Sequence, residues 1–270
     1  MMFNIAKVLA DIEADSDQNI DLLVDLLKIK SISTIPDYAD ECYQAAGWLK
    51  AFLDSFGMDA IIYESEGHPI VFSDYQTSRP EAKTILFYGH YDVQPVDPVS
   101  LWDSDPFDPV LSSIDNEPCI IARGASDDKG QLLTFLIALK YIKNEVGELP
   151  FSLKIILEGE EECGSKTLPI FLEDYKDKLS ADIAYVCDTG MWDKDTPAIT
   201  RSLRGLLSEE FKIIGPDRDL HSGEFGGVAW NPIRIITKIL SDVYDDEGKI
   251  TIPNFYDGVN EVNENIINSW

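Results

Sequence analysis

The chain has little positive charge, few histidines and no long apolar run. It carries 22 Lys and Arg against 49 Asp and Glu in 270 residues, which gives a formal net charge of −27. Such a surface repels nucleic acid and anionic membranes, so we expect neither as a partner. No run approaches the roughly 20 apolar residues that span a bilayer, and the N-terminus lacks the apolar segment of a signal peptide.

Cysteine is also scarce. The four cysteines are widely scattered and include no C-x-x-C pair; they are Cys42, Cys119, Cys163 and Cys187. This spacing does not indicate a disulfide framework. Reduced cysteines in a cytoplasmic protein are the simplest interpretation.

The composition is that of a globular protein, with 44% apolar and 10% aromatic residues. Periodicity predicts helices at 4–30, 38–56, 130–146 and near 167–175, and strands at 59–63, 69–74, 84–89, 119–122, 151–157 and 183–187. A long proline-rich loop is predicted at 95–118, and its length suggests a function. The alternation predicts an α/β fold whose mixed, mainly parallel sheet is flanked by helices.

The pattern changes after about residue 198. A half-exposed strand is predicted at 206–214, a glycine-containing loop at 219–227 and a helix from Asn231–Pro232 to about 243. We therefore predict two domains, 1–198 and 199–270.

Four apolar runs of the first domain are each followed by possible metal ligands, namely His90, Asp127, the pair Glu161–Glu162, and Asp188. Each has an ordinary explanation alone: a loop histidine, a surface aspartate beside the helix cap Asp128, a solvated acidic loop or a turn. Open α/β sheets place functional groups at the carboxyl ends of their strands. The joint occurrence therefore predicts a site for two divalent cations and favours a hydrolase.

Five segments resemble the M20 family of metallopeptidases, most closely its carnosine dipeptidase-like branch. They are Gly89–Pro95 (GHYDVQP), Trp102–Pro109 (WDSDPFDP), Arg123–Gly130 (RGASDDKG), Glu158–Ser165 (EGEEECGS) and Asp219–Gly227 (DLHSGEFGG). The resemblance runs from about residue 20 to the end of the chain. It implies a zinc-peptidase-like catalytic domain followed by a partial α+β lid, which in this family often forms a dimer contact.

The resemblance also implies roles for individual residues. Two cations, usually zinc and sometimes manganese, would be held by His90 and Asp188 on one side, Glu162 on the other and Asp127 between them. Glu161 would act as general base, Asp92 would orient His90, and His221 would polarise the scissile carbonyl across a homodimer contact. A cis peptide bond is implied between Asp127 and Asp128.

The implied activity is hydrolysis of the amide bond in dipeptides or small peptides. Two alternatives stay open: an N-acyl amino acid deacylase or carboxypeptidase of the same family, and a metal-deficient, inactive module. The chain has three histidines, and His68 matches no motif. The resemblance implies a further histidine ligand for the cation held by Glu162, and none of the three histidines is left for that role. We therefore expect the N-terminal portion of a longer enzyme, weakly active or inactive by itself.

Overall fold

A five-stranded mixed sheet forms the centre of the first unit of the fold. The computed structural model describes residues 4–200 and 203–268, which divide into one unit up to Thr200 and a second unit after it. The strands of the first unit are β1 (Ile61–Tyr63), β2 (Ile70–Tyr75), β3 (Thr84–His90), β4 (Val110–Ile114), β5 (Glu117–Ile121), β6 (Ser152–Glu158) and β7 (Ile183–Val186). Its helices are α1 (Ile5–Ala14), α2 (Ser16–Leu27), α3 (Ala39–Asp54), α4 (Lys129–Val146) and α5 (Leu168–Asp174).

The order of strands in the main sheet is β1-β2-β6-β3-β7. The first two pairings are antiparallel, whereas β6–β3 and β3–β7 are parallel. In the register of β3 and β6, His90 lies opposite Glu158. The carboxyl ends of β3, β6 and β7 therefore lie at one edge of the sheet, and the predicted α/β class is confirmed.

Strand β6 is buried along its whole length, which explains its nearly continuous apolar sequence. Leu153, Ile155 and Leu157 pack into the larger core with residues of α3 and α4. Ile156 faces the opposite side and packs with Phe171 of α5. The one cation in the strand, Lys154, donates to the carbonyl oxygen of Ser180 at 2.7 Å.

The helix predicted at 4–30 is wrong as a single element, because the chain forms α1 and α2 with a break at Asp15. Asp15 leaves the helical conformation, with φ −99° and ψ 18°. Its carboxylate accepts a hydrogen bond from the Tyr141 hydroxyl of α4 at 2.8 Å. Both helices contact α4, so the break lets the segment follow that surface.

The strand predicted before Asp127 exists, but it does not join the main sheet. β4 and β5 form a separate antiparallel hairpin, so the long loop predicted at 95–118 also contains a strand. Asp115 and Asn116 connect the two strands with φ of 52° and 67°. Two consecutive residues with positive φ form the tight turn that suits the twist of a hairpin.

The described part of the second unit contains the short helices α6 (Ser222–Phe225), α7 (Pro232–Asp242) and α8 (Glu264–Ile267). The strand predicted at 206–214 is wrong, since these residues pair with no other described segment. Asn231 begins α7 by accepting the backbone N–H of Ile233 at 2.9 Å. Among the described residues, no helix combines the length and apolar character needed to cross a membrane.

Substituting Phe87 tests how much the core beneath the sheet contributes to the free energy of unfolding. Its ring is fully buried and stacks on Phe135 with 3.8 Å between ring centroids. We predict that Phe87→Ala lowers the free energy of unfolding by about 3–5 kcal/mol, because it leaves a cavity in the core. The half-exposed Ile61 of β1 is the control, and Ile61→Ala should cost less than about 1 kcal/mol. Equal losses in chemical denaturation would contradict this account of the core.

Candidate metal centre

Three of the predicted metal ligands lie together at the carboxyl edge of the sheet. The Nε2 atom of His90 lies 3.1 Å from Oδ1 of Asp127 and 3.7 Å from Oδ2 of Asp188. One ligand atom of each residue lies within 4.8 Å of those of the others. The imidazole is fully buried, whereas the Asp127 side chain is 63% exposed, so the cluster opens to solvent on the Asp127 side.

Asp127 reaches this edge from a turn between β5 and α4. Gly124 adopts φ +84°, and the peptide bond between Asp127 and Asp128 is cis. A Cβ on Gly130 would lie 2.1 Å from the carbonyl oxygen of Ala125, so the turn closes tightly only with glycine there. This turn brings Asp127 to the edge of the main sheet, although the strand before it, β5, belongs to the separate hairpin.

Lys129, the first residue of α4, ties this turn to the end of α2. Its side chain is fully buried, and Nζ donates to the carbonyl oxygens of Leu26 and Ile29 at 3.2 and 2.7 Å. Burial lowers the pKa of Lys129 to about 7. Carbonyl oxygens at the end of a helix favour a cation, so these contacts suit the ammonium group.

Asp128 stands at the N-cap position of α4, but its side chain makes no capping hydrogen bond, so the ordinary explanation of this residue fails. Its Oδ2 instead accepts the backbone N–H of His90 at 3.1 Å. Its Oδ1 is buried and has no hydrogen-bond partner among the described residues. Burial raises the pKa of this carboxyl to about 7. Asp128 therefore lies beside the candidate ligands as a poorly solvated acid.

Asp92 contacts two parts of the site. Its Oδ1 lies 3.3 Å from Nδ1 of His90, which leaves Nε2 of the same ring facing the candidate ligands. The two carboxylate oxygens also accept the backbone N–H groups of Glu161 at 3.2 Å and Glu162 at 3.0 Å. The sequence resemblance implied the first contact, but nothing in the residue pattern indicated the second.

Glu161 and Glu162 begin a short helical turn just after β6. Burial raises the pKa of both carboxyls, and nearby carboxylates add to the shift. In Glu162 a hydrogen bond from Gln94 works in the opposite direction. The amide of Gln94 donates to Oε2 of Glu162 at 2.9 Å. Glu162 is not part of the three-residue cluster found in the described chain.

Two other glutamates of the acidic motif lie outside the three-residue cluster and have local hydrogen-bond partners. Glu158 is buried and accepts hydrogen bonds from the hydroxyls of Tyr88 and Ser165. Glu160 is also buried and accepts hydrogen bonds from the backbone N–H and the hydroxyl of Thr167. Glu158 and Glu160 therefore form hydrogen bonds within their own part of the fold, whereas Glu161 and Glu162 lie near the candidate ligands.

The electrostatics of the cluster suit a cation. Burial alone would lower the pKa of His90, but the hydrogen bond to Asp92 and the surrounding carboxylates outweigh it and raise the pKa to about 10. Without an ion, the ring is therefore protonated at neutral pH. An imidazole with two or more carboxylates is a donor set that suits zinc and manganese. The buried Oδ1 of Asp128, which has no hydrogen-bond partner among the described residues, lies next to this set.

The other two histidines lie elsewhere. His221 belongs to the second unit, is exposed, and caps α6 by accepting the backbone N–H of Gly223 through Nδ1 at 3.0 Å. His68 is half-buried, and its Nε2 lies 3.0 Å from the carbonyl oxygen of Ser33.

Comparison with known proteins agrees with the resemblance seen in the motifs. Residues 86–262 match the model of peptidase family M20/M25/M40. The chain belongs to the M20 peptidase family. The predicted family is therefore confirmed, and its model covers the cluster at the sheet edge as well as the segment around His221.

Two curated relatives in the family are dipeptidases. The chain is 34% identical to the human Beta-Ala-His dipeptidase over 204 aligned residues. The aligned region covers 75% of this chain and 39% of that protein. It is 36% identical to the Cys-Gly metallodipeptidase dug1 of Schizosaccharomyces pombe over 196 aligned residues. That region covers 72% of this chain and 40% of that protein. The chain thus spans about two fifths of the length of these relatives.

Solved M20 structures share the fold. An M20 family metallo-carboxypeptidase from Sulfolobus solfataricus matches with a TM-score of 0.72 and 32% identity, over 92% of this chain and 54% of that one. Human carnosine dipeptidase 1 matches with a TM-score of 0.72 and 27% identity, over 98% of this chain and 57% of that one.

Asp128 provides a pH test of the site. Its carboxyl binds a proton more tightly in the folded chain, with a pKa of about 7, than at its ordinary value of 3.8. The folded state therefore holds more protons across that window, and its stability falls as pH rises through it. We predict that Asp128→Asn removes this fall. In chelator at pH 8 the variant should melt about 2–4 °C higher, the shift that about 1 kcal/mol gives in a chain of this size.

The same variant should match the native chain at pH 4, where the Asp128 carboxyl is protonated in the folded state. Asp174→Asn, a change at an exposed aspartate of α5, is the matched control and should leave the pH profile of melting unchanged. Parallel melting profiles for Asp128→Asn and the native chain would show that the Asp128 carboxyl is not held in an unfavourable setting.

Proposed function

We propose that this protein is a metal-dependent hydrolase of amide bonds in dipeptides or small peptides. The observation that carries the proposal is the cluster of His90, Asp127 and Asp188, with Asp92 behind the imidazole. Dipeptidases among the family relatives support the substrate class. Residues 1–198 would form the catalytic domain and 199–270 the lid.

Two divalent cations would lower the pKa of a water molecule and polarise the substrate carbonyl. Zinc is the expected metal and manganese the alternative. His90 and Asp188 would hold one cation, Glu162 the other, and Asp127 would lie between them. The donor types fit this assignment. Asp92 supports it by fixing which nitrogen of His90 faces the cation.

Glu161 would be the general base and then the general acid. Its backbone N–H donates to Oδ1 of Asp92 at 3.2 Å. Its carboxylate accepts no hydrogen bond from any described residue. Burial raises the pKa of that carboxyl. A carboxyl with a raised pKa accepts a proton from water more readily and can pass it to the leaving amine.

His221 would polarise the carbonyl of a substrate held by a partner subunit, and the protein would be a homodimer through the 199–270 unit. Support comes from its exposed position and from its place in the family motif. Helix α7 offers an apolar contact surface, because Ile233 is 70% exposed and Leu240 is 48% exposed.

We also propose a cytoplasmic location. All four cysteines are free, which is the usual state of thiols in a reducing compartment.

The substrate class has one competitor that a specific observation favours. A solved relative is a carboxypeptidase, so this chain could belong to an enzyme that removes C-terminal residues. A deacylase of N-acyl amino acids would use the same cluster. A panel of dipeptides, longer peptides and N-acyl amino acids, assayed with zinc or manganese, distinguishes the three.

Glu161→Gln tests the base. In a preparation that turns over dipeptide, we predict that this variant lowers kcat by about 10²–10⁴-fold, the range of a lost general base. The metal content measured by mass spectrometry should stay the same, because the amide keeps the size of the side chain and Glu161 is not assigned as a ligand. Glu173→Gln on the exposed face of α5 is the control and should keep full turnover.

Normal turnover in Glu161→Gln would show that the base is another residue. Loss of turnover together with loss of metal would make Glu161 a ligand instead. A native chain that binds no divalent cation would favour the metal-deficient module over the enzyme.

A further inference from the structure

We propose that Gln94 is a positioning residue that orients Glu162 toward the second cation, an inference that rests on the proposed function. The side-chain amide of Gln94 makes two contacts with the same residue. Nε2 donates to the carbonyl oxygen of Glu162 at 2.9 Å and to its carboxylate Oε2 at 2.9 Å. Both the backbone and the side chain of Glu162 are therefore held by one amide group.

The backbone next to Gln94 is held in part by the turn that carries Asp127. Arg123, which begins the turn that carries Asp127, donates from Nη2 to the carbonyl oxygen of Pro95 at 2.9 Å. The guanidinium group of Arg123 also lies 5.5 Å from the ring centroid of Trp102. Trp102 in turn donates from Nε1 to the carbonyl oxygen of Val96 at 3.1 Å. The backbone just after Gln94 is thus held at two consecutive residues.

These contacts connect three segments that supply candidate ligands. Gln94 follows the His90–Asp92 segment, its neighbour Pro95 is bound by the turn that leads to Asp127, and its own amide binds Glu162. The first part of the proline-rich loop takes part as well, because Trp102 of the Trp102–Pro109 motif donates the hydrogen bond that holds the backbone at Val96.

The chemistry of an amide suits this position. An ammonium or guanidinium group would bind the carboxylate more strongly and would compete with a cation for its charge. The neutral amide satisfies one oxygen of Glu162 and adds no charge, so Oε1 keeps its capacity to bind a cation. Partners that orient metal ligands typically change metal affinity by about 10–100-fold when they are removed.

Counting bound Mn²⁺ tests the proposal without relying on turnover. The full chain is stripped with chelator, Mn²⁺ is added, and the free ion is measured by electron paramagnetic resonance. We expect one tight cation at the His90 cluster and one weaker cation that depends on Glu162. Gln94→Leu should weaken the second cation about 10-fold or more and leave the first unchanged.

The control and the double variant separate positioning from a general effect. Gln76→Leu removes another amide that donates to a carboxylate, that of Asp74. It should change neither cation. Glu162→Gln should weaken the second cation, and adding Gln94→Leu to it should cause no further loss, because both changes act through one carboxylate. Gln94 is exposed, so its variant should melt within about 2 °C of the native chain.

Each other result has a definite meaning. Unchanged Mn²⁺ binding in Gln94→Leu overturns the proposal, as does an additive loss in the double variant. If the native chain binds a single cation, and His90→Ala abolishes that binding, the proposal is also overturned. The His90 cluster would still be a metal site. A native chain that binds no cation contradicts the proposed function itself.

Discussion

The candidate site depends on one buried carboxylate, that of Asp92. It contacts the imidazole of His90 at the end of β3 and accepts two backbone N–H groups from the turn after β6. These strands are paired in parallel, but pairing alone fixes neither the ring of His90 nor the path of the turn. Hydrogen bonds to a charged acceptor are stronger than those between neutral groups, so Asp92 holds both elements in one geometry.

Negative charge is concentrated around this carboxylate to a degree that a folded chain tolerates poorly without cations. Burial raises the pKa of Asp128, Glu161 and Glu162, so the ion-free protein disfavours the charged form of each carboxyl relative to its ordinary setting. The charge on His90 offsets part of this repulsion. The arrangement therefore lowers local stability in exchange for affinity toward cations, a compromise common at functional sites.

Much of the fold and of the ligand cluster could be predicted from the sequence. The apolar runs of β3, β6 and β7 are strong local signals, and parallel pairing brings their ends together. The route to Asp127 was not predictable in the same way, because a tight turn at Asp115 and Asn116 diverts β5 into a hairpin. The orientation of Asp128 and the hydrogen bonds from Glu161 and Glu162 to Asp92 are contacts between distant segments, which no local pattern reveals.

The buried ammonium group of Lys129 has a consequence for how the protein is made. Its two acceptors belong to residues about 100 positions earlier in the chain, at the end of α2. During synthesis, α2 leaves the ribosome long before Lys129 does and has no partner for those carbonyl oxygens except water. The turn that presents Asp127 can be secured only when the first helices and α4 have come together. Closing the metal-binding edge therefore depends on contacts of large sequence separation, which cost more loop-closure entropy than local ones.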